Sequence, residues 1–274
     1  MALRASETGF TGLVPRLVSV LVLAPLALGL VWAGGIAFDV LVVAAAVLMA
    51  YEWHRLCNDG DSAVGAAVAA LSAAPVVMIA LGRADFAIVA VVLLAALGAA
   101  FAGRAHIRRL WAVTGVIYVS VPCIAMIWLR ADPALGLQTV FWLFAVVWAT
   151  DIGAYAAGRG IGGPKLAPRI SPKKTWAGLA GGIVSAAVVG AVAAGLLGLP
   201  NPIRLVLFSA GLALVAQAGD LWESAVKRRF DKKDSGRLIP GHGGLLDRLD
   251  GLLAVAPVAA VTALLGGESV LAWR

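Results

Sequence analysis

GDLWESAVKRRFDKKDSGRLIPGHGGLLDRLDG, Gly219 to Gly251, is a charged island in a chain of 274 residues that is 61% hydrophobic and only 14% charged. It carries seven cations (Lys227, Arg228, Arg229, Lys232, Lys233, Arg237 and Arg248) and six carboxylates (Asp220, Glu223, Asp231, Asp234, Asp247 and Asp250). On both sides the sequence turns apolar for about 20 residues, the length that crosses a bilayer as a helix. Charge of both signs at this density, between two such flanks, is either a solvated loop or a site for a polyanion and its metal. The flanks decide the fold, and the carboxylates decide between these two uses of the island.

Outward from the island, the apolar content stands far above the roughly 45–50% of soluble domains, and mean hydropathy is +0.94. Apolar runs of about 18 residues or more recur, so the fold class is an all-α, polytopic membrane protein. Nine spans are expected: about Leu17–Ala33, Ile36–Tyr51, Ala63–Leu81, Phe86–Ala102, Leu110–Leu129, Leu135–Ala157, a seventh from the end of the 158–174 loop to Leu199, Ile203–Leu221 and Leu252–Trp273. A polar segment, Glu52 to Ser62, separates the second and third. Residues 1–130 then hold spans one to five, and residues 131–274 hold spans six to nine with the charged loops, in one continuous membrane domain. With the N-terminus in the cytoplasm, eighteen of the 22 Lys and Arg fall on inward segments; only Arg83, Arg130, Arg204 and Arg274 fall outward. That asymmetry is the positive-inside pattern, and it places the island on the cytoplasmic side of a multi-pass inner-membrane protein. The net charge of +7 answers to anionic lipid headgroups, with no call for nucleic acid. Cys57 and Cys123 form no disulfide or zinc pattern. The N-terminus has no signal-peptide cleavage pattern, and its first apolar run is long enough to stay as an anchor.

Two loops and one intramembrane acid carry chemistry. The segment GRGIGGPKLAPRISPKKTWAG, from Gly158, has at its core Ser171-Pro172-Lys173-Lys174-Thr175-Trp176. Lysines and hydroxyls at a helix entrance suit phosphate, although an inward loop is basic by rule. Asp151 lies within the sixth span, where a carboxylate is costly and marks function unless it pairs with Arg159 near the helix end. A topological anchor needs cations, not Asp220, Asp234, Asp247 and Asp250. Asp247 and Asp250 are three apart, on one helix face, and Asp220 ends the preceding span. Such oxygen ligands suit Mg²⁺, which takes one or two carboxylates plus substrate phosphates. Pro240-Gly241-His242-Gly243-Gly244 offers a backbone that a nucleotide can approach closely. His242 is either catalytic or a loop histidine bonded to backbone. Glu223 and Asp231 serve equally as partners of Arg228 or Lys232 on a solvated face.

Ser224 to Asp250 resembles the signature of the phosphatidate cytidylyltransferases, the CDP-diacylglycerol synthases. Ser224, Lys227, Arg228, Lys233, Asp234, Pro240, His242, Gly243, Gly244, Asp247, Arg248 and Asp250 all match that pattern. Asp151–Arg159 (DIGAYAAGR) and Ile170–Gly178 (ISPKKTWAG) also resemble the family. The resemblance implies nucleotidyl transfer from CTP to phosphatidate, giving CDP-diacylglycerol and pyrophosphate with Mg²⁺, and it leaves a second cation open. It implies metal ligation by Asp220 and Asp247, with Asp250 as a third, and catalytic roles for these two with Lys227, Arg228, Lys233, Asp234, His242 and Arg248. Ser171, Lys173, Lys174, Thr175, Ser224, Gly243 and Gly244 would contact substrate, and the protein would be a homodimer. A phosphatidate oxygen is already ionised at neutral pH, so positioning and charge neutralisation suffice. A transporter would spread charge through several spans, whereas here it sits in loops and at helix ends. Asp151–Arg159 only grazes the first half of the CDP-alcohol phosphotransferase pattern, whose second half is missing, and a scaffold leaves the carboxylates without purpose.

Overall fold

The computed structural model describes residues 10–57, 71–101, 106–236, 238–239 and 243–273. Among these are nine α-helices and one hairpin: α1 (Phe10–Ala33), α2 (Gly35–Cys57), α3 (Ala74–Ala80), α4 (Ala84–Phe101), α5 (His106–Arg130), α6 (Gly136–Gly160), β1 (Lys165–Ala167), β2 (Ser171–Thr175), α7 (Trp176–Leu196), α8 (Pro202–Arg229) and α9 (Leu246–Gly266). A 3-10 turn, Val270–Ala272, follows. Runs this apolar fold as helices because only a helix satisfies the backbone within its own segment when no water is present. Six of them, α2 and α5 to α9, are long and apolar enough to cross a membrane; Leu21–Ala33 and Ala84–Leu97 are shorter apolar stretches.

Packing follows side-chain size. α7 lies along both α6 and α8, and its buried stripe is Gly178, Gly182, Ala186, Gly190 and Ala194, every fourth residue. Small residues at that interval let helix backbones approach closely; a methyl on Gly182 would stand 3.0 Å from the Thr150 carbonyl of α6. The other face of α7 turns Val184, Val188 and Val192 outward, as a lipid-facing surface requires. α9 is the hub, packing on α8, α5, α6 and α2. Phe38, Met49 and Leu56 of α2, Leu143 of α6, Leu205 and Leu212 of α8 and Leu246 of α9 fill the core.

The bundle has two distinct ends. At one, Arg130 at the end of α5 donates through Nε to Val31 O of α1 at 2.9 Å, and Thr139 near the start of α6 meets Ser269 beyond α9, their hydroxyls 3.2 Å apart. At the other end, the last turns of α2, α6 and α8, the hairpin and the start of α9 come together, so that end collects the charge.

Four expectations need correction. The 158–174 loop is not purely a connector in an all-helical chain: Lys165 pairs with Thr175, and Ala167 with Ser171, in an antiparallel hairpin. Pro164, Pro168 and Pro172 forbid a helix there and bias their neighbours to extended backbone. The polar segment after the second span does not begin at Glu52, because α2 runs on to Cys57 and buries Glu52, Trp53 and Leu56; the start of the expected third span falls in residues 58–70, outside the described residues. α8 does not stop at Leu221 but continues to Arg229, its polar last turns held by side-chain pairs four apart. It closes at Asp231, whose φ of 52° is left-handed, with Lys232 N returning to Lys227 O at 2.9 Å. α9 begins at Leu246, not Leu252, and ends before Gly267, which takes the left-handed cap at φ 70°.

Candidate active site

The charged end of the bundle holds two polar assemblies. The first is an open cavity of about 570 Å³ lined by Asp151, Arg159, Lys173, Lys174, Gln217 and Asp220. The hairpin and the first turn of α7 set its lysines: Thr175 is the N-cap of α7, its Oγ1 accepting from Gly178 N at 3.0 Å, so Lys173 and Lys174 immediately precede a fixed helix end. Lys174 Nζ lies 2.6 Å from Asp220 Oδ2. Ser224, one turn along α8, donates to Asp220 Oδ1 at 3.3 Å. Arg159 donates to the Tyr155 hydroxyl at 2.8 Å, and Asp151 opens onto the cavity. Three cations and two carboxylates on one open wall form a receptor for a polyphosphate that arrives with a cation.

The second assembly is a buried polar knot around Asp247, in the first turn of α9. Asp247 Oδ1 accepts from Lys227 Nζ at 2.6 Å. Its Oδ2 accepts from Gly244 N at 2.8 Å, Ser235 N at 2.9 Å and Ser235 Oγ at 3.0 Å. Lys227 also donates to Glu223 Oε1 at 3.1 Å, and Glu223 is fully buried, so it belongs to this knot and not to a solvated face. The knot depends on glycine. Gly243 has φ 87°, and a methyl there would stand 2.9 Å from Asp247 Oδ2, while one on Gly244 would stand 2.7 Å from both carboxylate oxygens of Glu52.

The sequence-derived residues therefore divide. Lys173, Lys174 and Asp220 share the cavity, with Ser224 steadying Asp220. Lys227, Gly243, Gly244 and Asp247 share the knot. Asp250 joins the two regions: α9 crosses α8 at Gly219, where a methyl would stand 2.9 Å from Asp250 O, one residue from Asp220. Arg228 turns away from both, donating to Ile170 O at 3.5 Å and Lys232 O at 3.3 Å, which ties the hairpin to α8. Ser171 sits on β2 opposite Ala167. Lys233, Asp234 and Arg248 are exposed, and His242 lies outside the described residues. Thr175 is buried and spends its oxygen on the helix cap.

Among the described residues, no three His, Cys, Asp or Glu side chains gather at metal-binding spacing. The donor set still fits a hard cation at Asp220. Its Oδ2 already holds an ammonium at 2.6 Å, it faces open space, and Asp151 lines the same wall; Mg²⁺ needs only one or two carboxylates where phosphates complete its shell. Asp247 offers Oδ1, where the Lys227 ammonium sits, but its Oδ2 is filled by three donors.

The chain matches the model of the cytidylyltransferase family over residues 14–265. It belongs to that family. It is 39% identical over 242 residues, covering 88% of this chain and 89% of the relative, to the phosphatidate cytidylyltransferase of Brucella suis biovar 1 (strain 1330). It is 41% identical over 160 residues to the phosphatidate cytidylyltransferase of Rickettsia bellii (strain RML369-C), covering 56% of this chain and 69% of the relative. The enzyme of the same name from Bacillus subtilis (strain 168) is 46% identical over 142 residues, covering 52% of this chain and 53% of the relative.

One residue of this family member's charged end escaped the sequence analysis. Glu52 is 2% exposed and accepts from Leu245 N and Leu246 N, each at 2.9 Å. The signal was available: Phe38, Val42, Met49, Trp53 and Leu56 mark the buried face of α2 at helical spacing, and Glu52 falls between Met49 and Leu56 on that face. A carboxylate at a core position requires donors from elsewhere in the fold.

Proposed function

We propose that this chain transfers the cytidylyl group of CTP to phosphatidate, giving CDP-diacylglycerol and pyrophosphate in phospholipid biosynthesis. The observation that carries this is the cavity that sets Lys173, Lys174 and Arg159 beside Asp220 and Asp151, in a chain related over most of its length to phosphatidate cytidylyltransferases. The phosphatidate oxygen attacks the α-phosphorus of CTP, a new P–O bond forms, and the bond to the bridging oxygen breaks with pyrophosphate leaving. No proton needs to be abstracted, because the attacking oxygen is already ionised. Lys173, Lys174 and Arg159 neutralise the phosphates and hold them in line. Ser224 holds the Asp220 carboxylate in place, and Gly243 and Gly244 present backbone to the nucleotide. Asp220 would hold Mg²⁺, with Asp247 through Oδ1 and Asp250 as its neighbours, and the ion supplies charge neutralisation of the phosphates when bound. Lys227, held by Asp247 and Glu223, keeps the Asp247 carboxylate in place and sets a positive charge at this end of the site. Lys233, Asp234 and Arg248, exposed at this end of the bundle, would serve with His242 in catalysis.

We further propose nine spans with the N-terminus in the cytoplasm, one membrane domain, an active site on the cytoplasmic face of the inner membrane where CTP is available, and a homodimer. The eighteen inward cations and the gathering of alternate helix ends at one pole of the bundle support this topology.

Purified protein with labelled CTP, phosphatidate and Mg²⁺ should form a lipid-soluble cytidine product, and Asp220→Asn and Asp247→Asn should each abolish it while the protein stays folded. Full activity in either variant overturns that residue's metal role. Cysteines placed at residues 60 and 240 should label from one side of the membrane and one at residue 200 from the other; any other pattern overturns the nine spans.

A further inference from the structure

We infer that Glu52, on α2 in the amino-terminal half of the chain, is a positioning residue of the active site, fixing Ser235 and the Leu245–Leu246 helix start that set Asp247 in place. This role rests on the functional reading above, because it takes the Asp247 end of α9 as part of the site.

The first N–H groups of a helix have no partners within it and are ordinarily served by a side chain at the N-cap. The N-cap of α9 is Leu245, which makes no side-chain cap. Its place is taken from a distance. Glu52 Oε1 accepts from Leu245 N and Oε2 from Leu246 N, both at 2.9 Å, while the adjacent Gly244 N goes to Asp247 at 2.8 Å. Two carboxylates thus fix three consecutive peptide N–H groups, and hydrogen bonds to ionised acceptors are the strong ones. Ser235 Oγ lies 3.0 Å from Asp247 Oδ2 and 3.4 Å from Glu52 Oε2, so the hydroxyl stands between the two carboxylates. A shift of Glu52 therefore reaches Asp247 through Ser235 as well as through the helix start. The grip is mutual: Lys232 Nζ donates to Arg55 O at 2.6 Å and Leu56 O at 3.1 Å, at the end of α2. The loop bearing the family signature is held at two points by the last turn of one helix from outside it.

Stability alone is a weak reason for a buried carboxylate at this place. Burying a carboxylate carries a desolvation cost, and a well-packed apolar side chain of similar volume often matches or exceeds a buried ionic group in stability. What the carboxylate adds is orientation of specified peptide groups, the property that catalytic constellations require of their supporting residues.

The test uses the full-length chain in lipid-containing detergent, with the kcat and KM for CTP corrected for the folded fraction, and the thiol-labelling rate of a Leu238→Cys reporter; native Cys57 and Cys123 are buried. Glu52→Ala should lower kcat roughly 10- to 100-fold, the range for groups that orient others in a site, and should speed labelling at position 238. Glu52→Gln keeps one acceptor and the same shape, so it should lie between wild type and Glu52→Ala; if Glu52→Ala does not fold, the kcat of Glu52→Gln decides. Folded Glu52→Ala with kcat within about twofold of wild type overturns the role, as does a loss of kcat with unchanged labelling. Asp247→Asn separates the two levels. If it is inactive while Glu52→Ala is active, the positioning role alone fails; if it is fully active, the site reading fails and the positioning role with it.

Discussion

Lys174–Asp220 and Lys227–Asp247 are both 2.6 Å long and lie at the same end of the bundle, yet their surroundings differ. In the first pair, Asp220 is 31% exposed and its lysine 17%; in the second, Asp247 is 8% exposed and its lysine 12%. Among the described residues, Asp220 has one further partner, the Ser224 hydroxyl, whereas Asp247 has three further donors on its second oxygen. When the open pair parts, Asp220 can take another cation and Lys174 a phosphate at little cost to the fold. The buried pair is part of what gives the loop its shape. Equal distances thus describe a receptor in one place and a scaffold in the other, and the distinction lies in what each carboxylate loses when its lysine leaves.

The largest effect should come from breaking the buried pair. Lys227→Met leaves Glu223 and Asp247 without their shared cation, and removing one partner of a buried ion pair costs about 3–5 kcal/mol. Activity should disappear and thermal unfolding should move down by several degrees. Adding Glu223→Gln to Lys227→Met removes one of the two stranded charges and should recover part of the stability without recovering activity. If Lys227→Met unfolds at the wild-type temperature, Asp247 is held by its backbone donors alone and the two pairs are alike.

Breaking the open pair should separate function from stability. The pair is half-buried, between an exposed pair worth about 0–1 kcal/mol and a buried one whose breaking costs about 3–5 kcal/mol, so Lys174→Ala should lose less stability than Lys227→Met. The loss should fall on substrate instead, with kcat/KM for CTP down by about tenfold or more, since a charge-assisted bond to phosphate is lost. Measuring both on one preparation sharpens the contrast. A stability loss as large as that of Lys227→Met would erase it.

Much of this division was legible in the sequence, but not all of it. The apolar runs dictate the helical bundle, because nothing else satisfies a backbone without water, and the six carboxylates among the cations of Gly219–Gly251 single out the stretch on which the site is proposed. What failed was depth. Glu52 reads as the start of a polar segment and Glu223 equally as a partner of a cation on a solvated face; both are buried, since α2 and α8 run on past the ends of their apolar runs and carry polar side chains into the packing. Helix ends are poorly marked when a polar residue finds its partner in another helix: Glu52 meets Leu245 and Leu246 across more than half the chain. Ser171 to Thr175 reads as the mouth of a helix, whereas it forms the strand that precedes one, with Lys173 and Lys174 on the cavity wall.

Thr175 supplies the smallest and most discriminating effect. The family resemblance implies contact with substrate, but the side chain is 4% exposed and its oxygen accepts from Gly178 N at 3.0 Å. An N-cap threonine replaced by alanine typically costs about 1 kcal/mol, so Thr175→Ala should lower stability by about that much. Thr175→Ser, which keeps the acceptor, should lose less. If the hydroxyl only caps α7, KM for CTP in folded Thr175→Ala stays near wild type, because Lys173 and Lys174 on β2 still face the cavity. A rise in KM of about tenfold with unchanged stability would instead place the hydroxyl on the substrate, requiring α7 to release its cap when the nucleotide binds. The helix entrance would then move with the open pair and not stand fixed beside it.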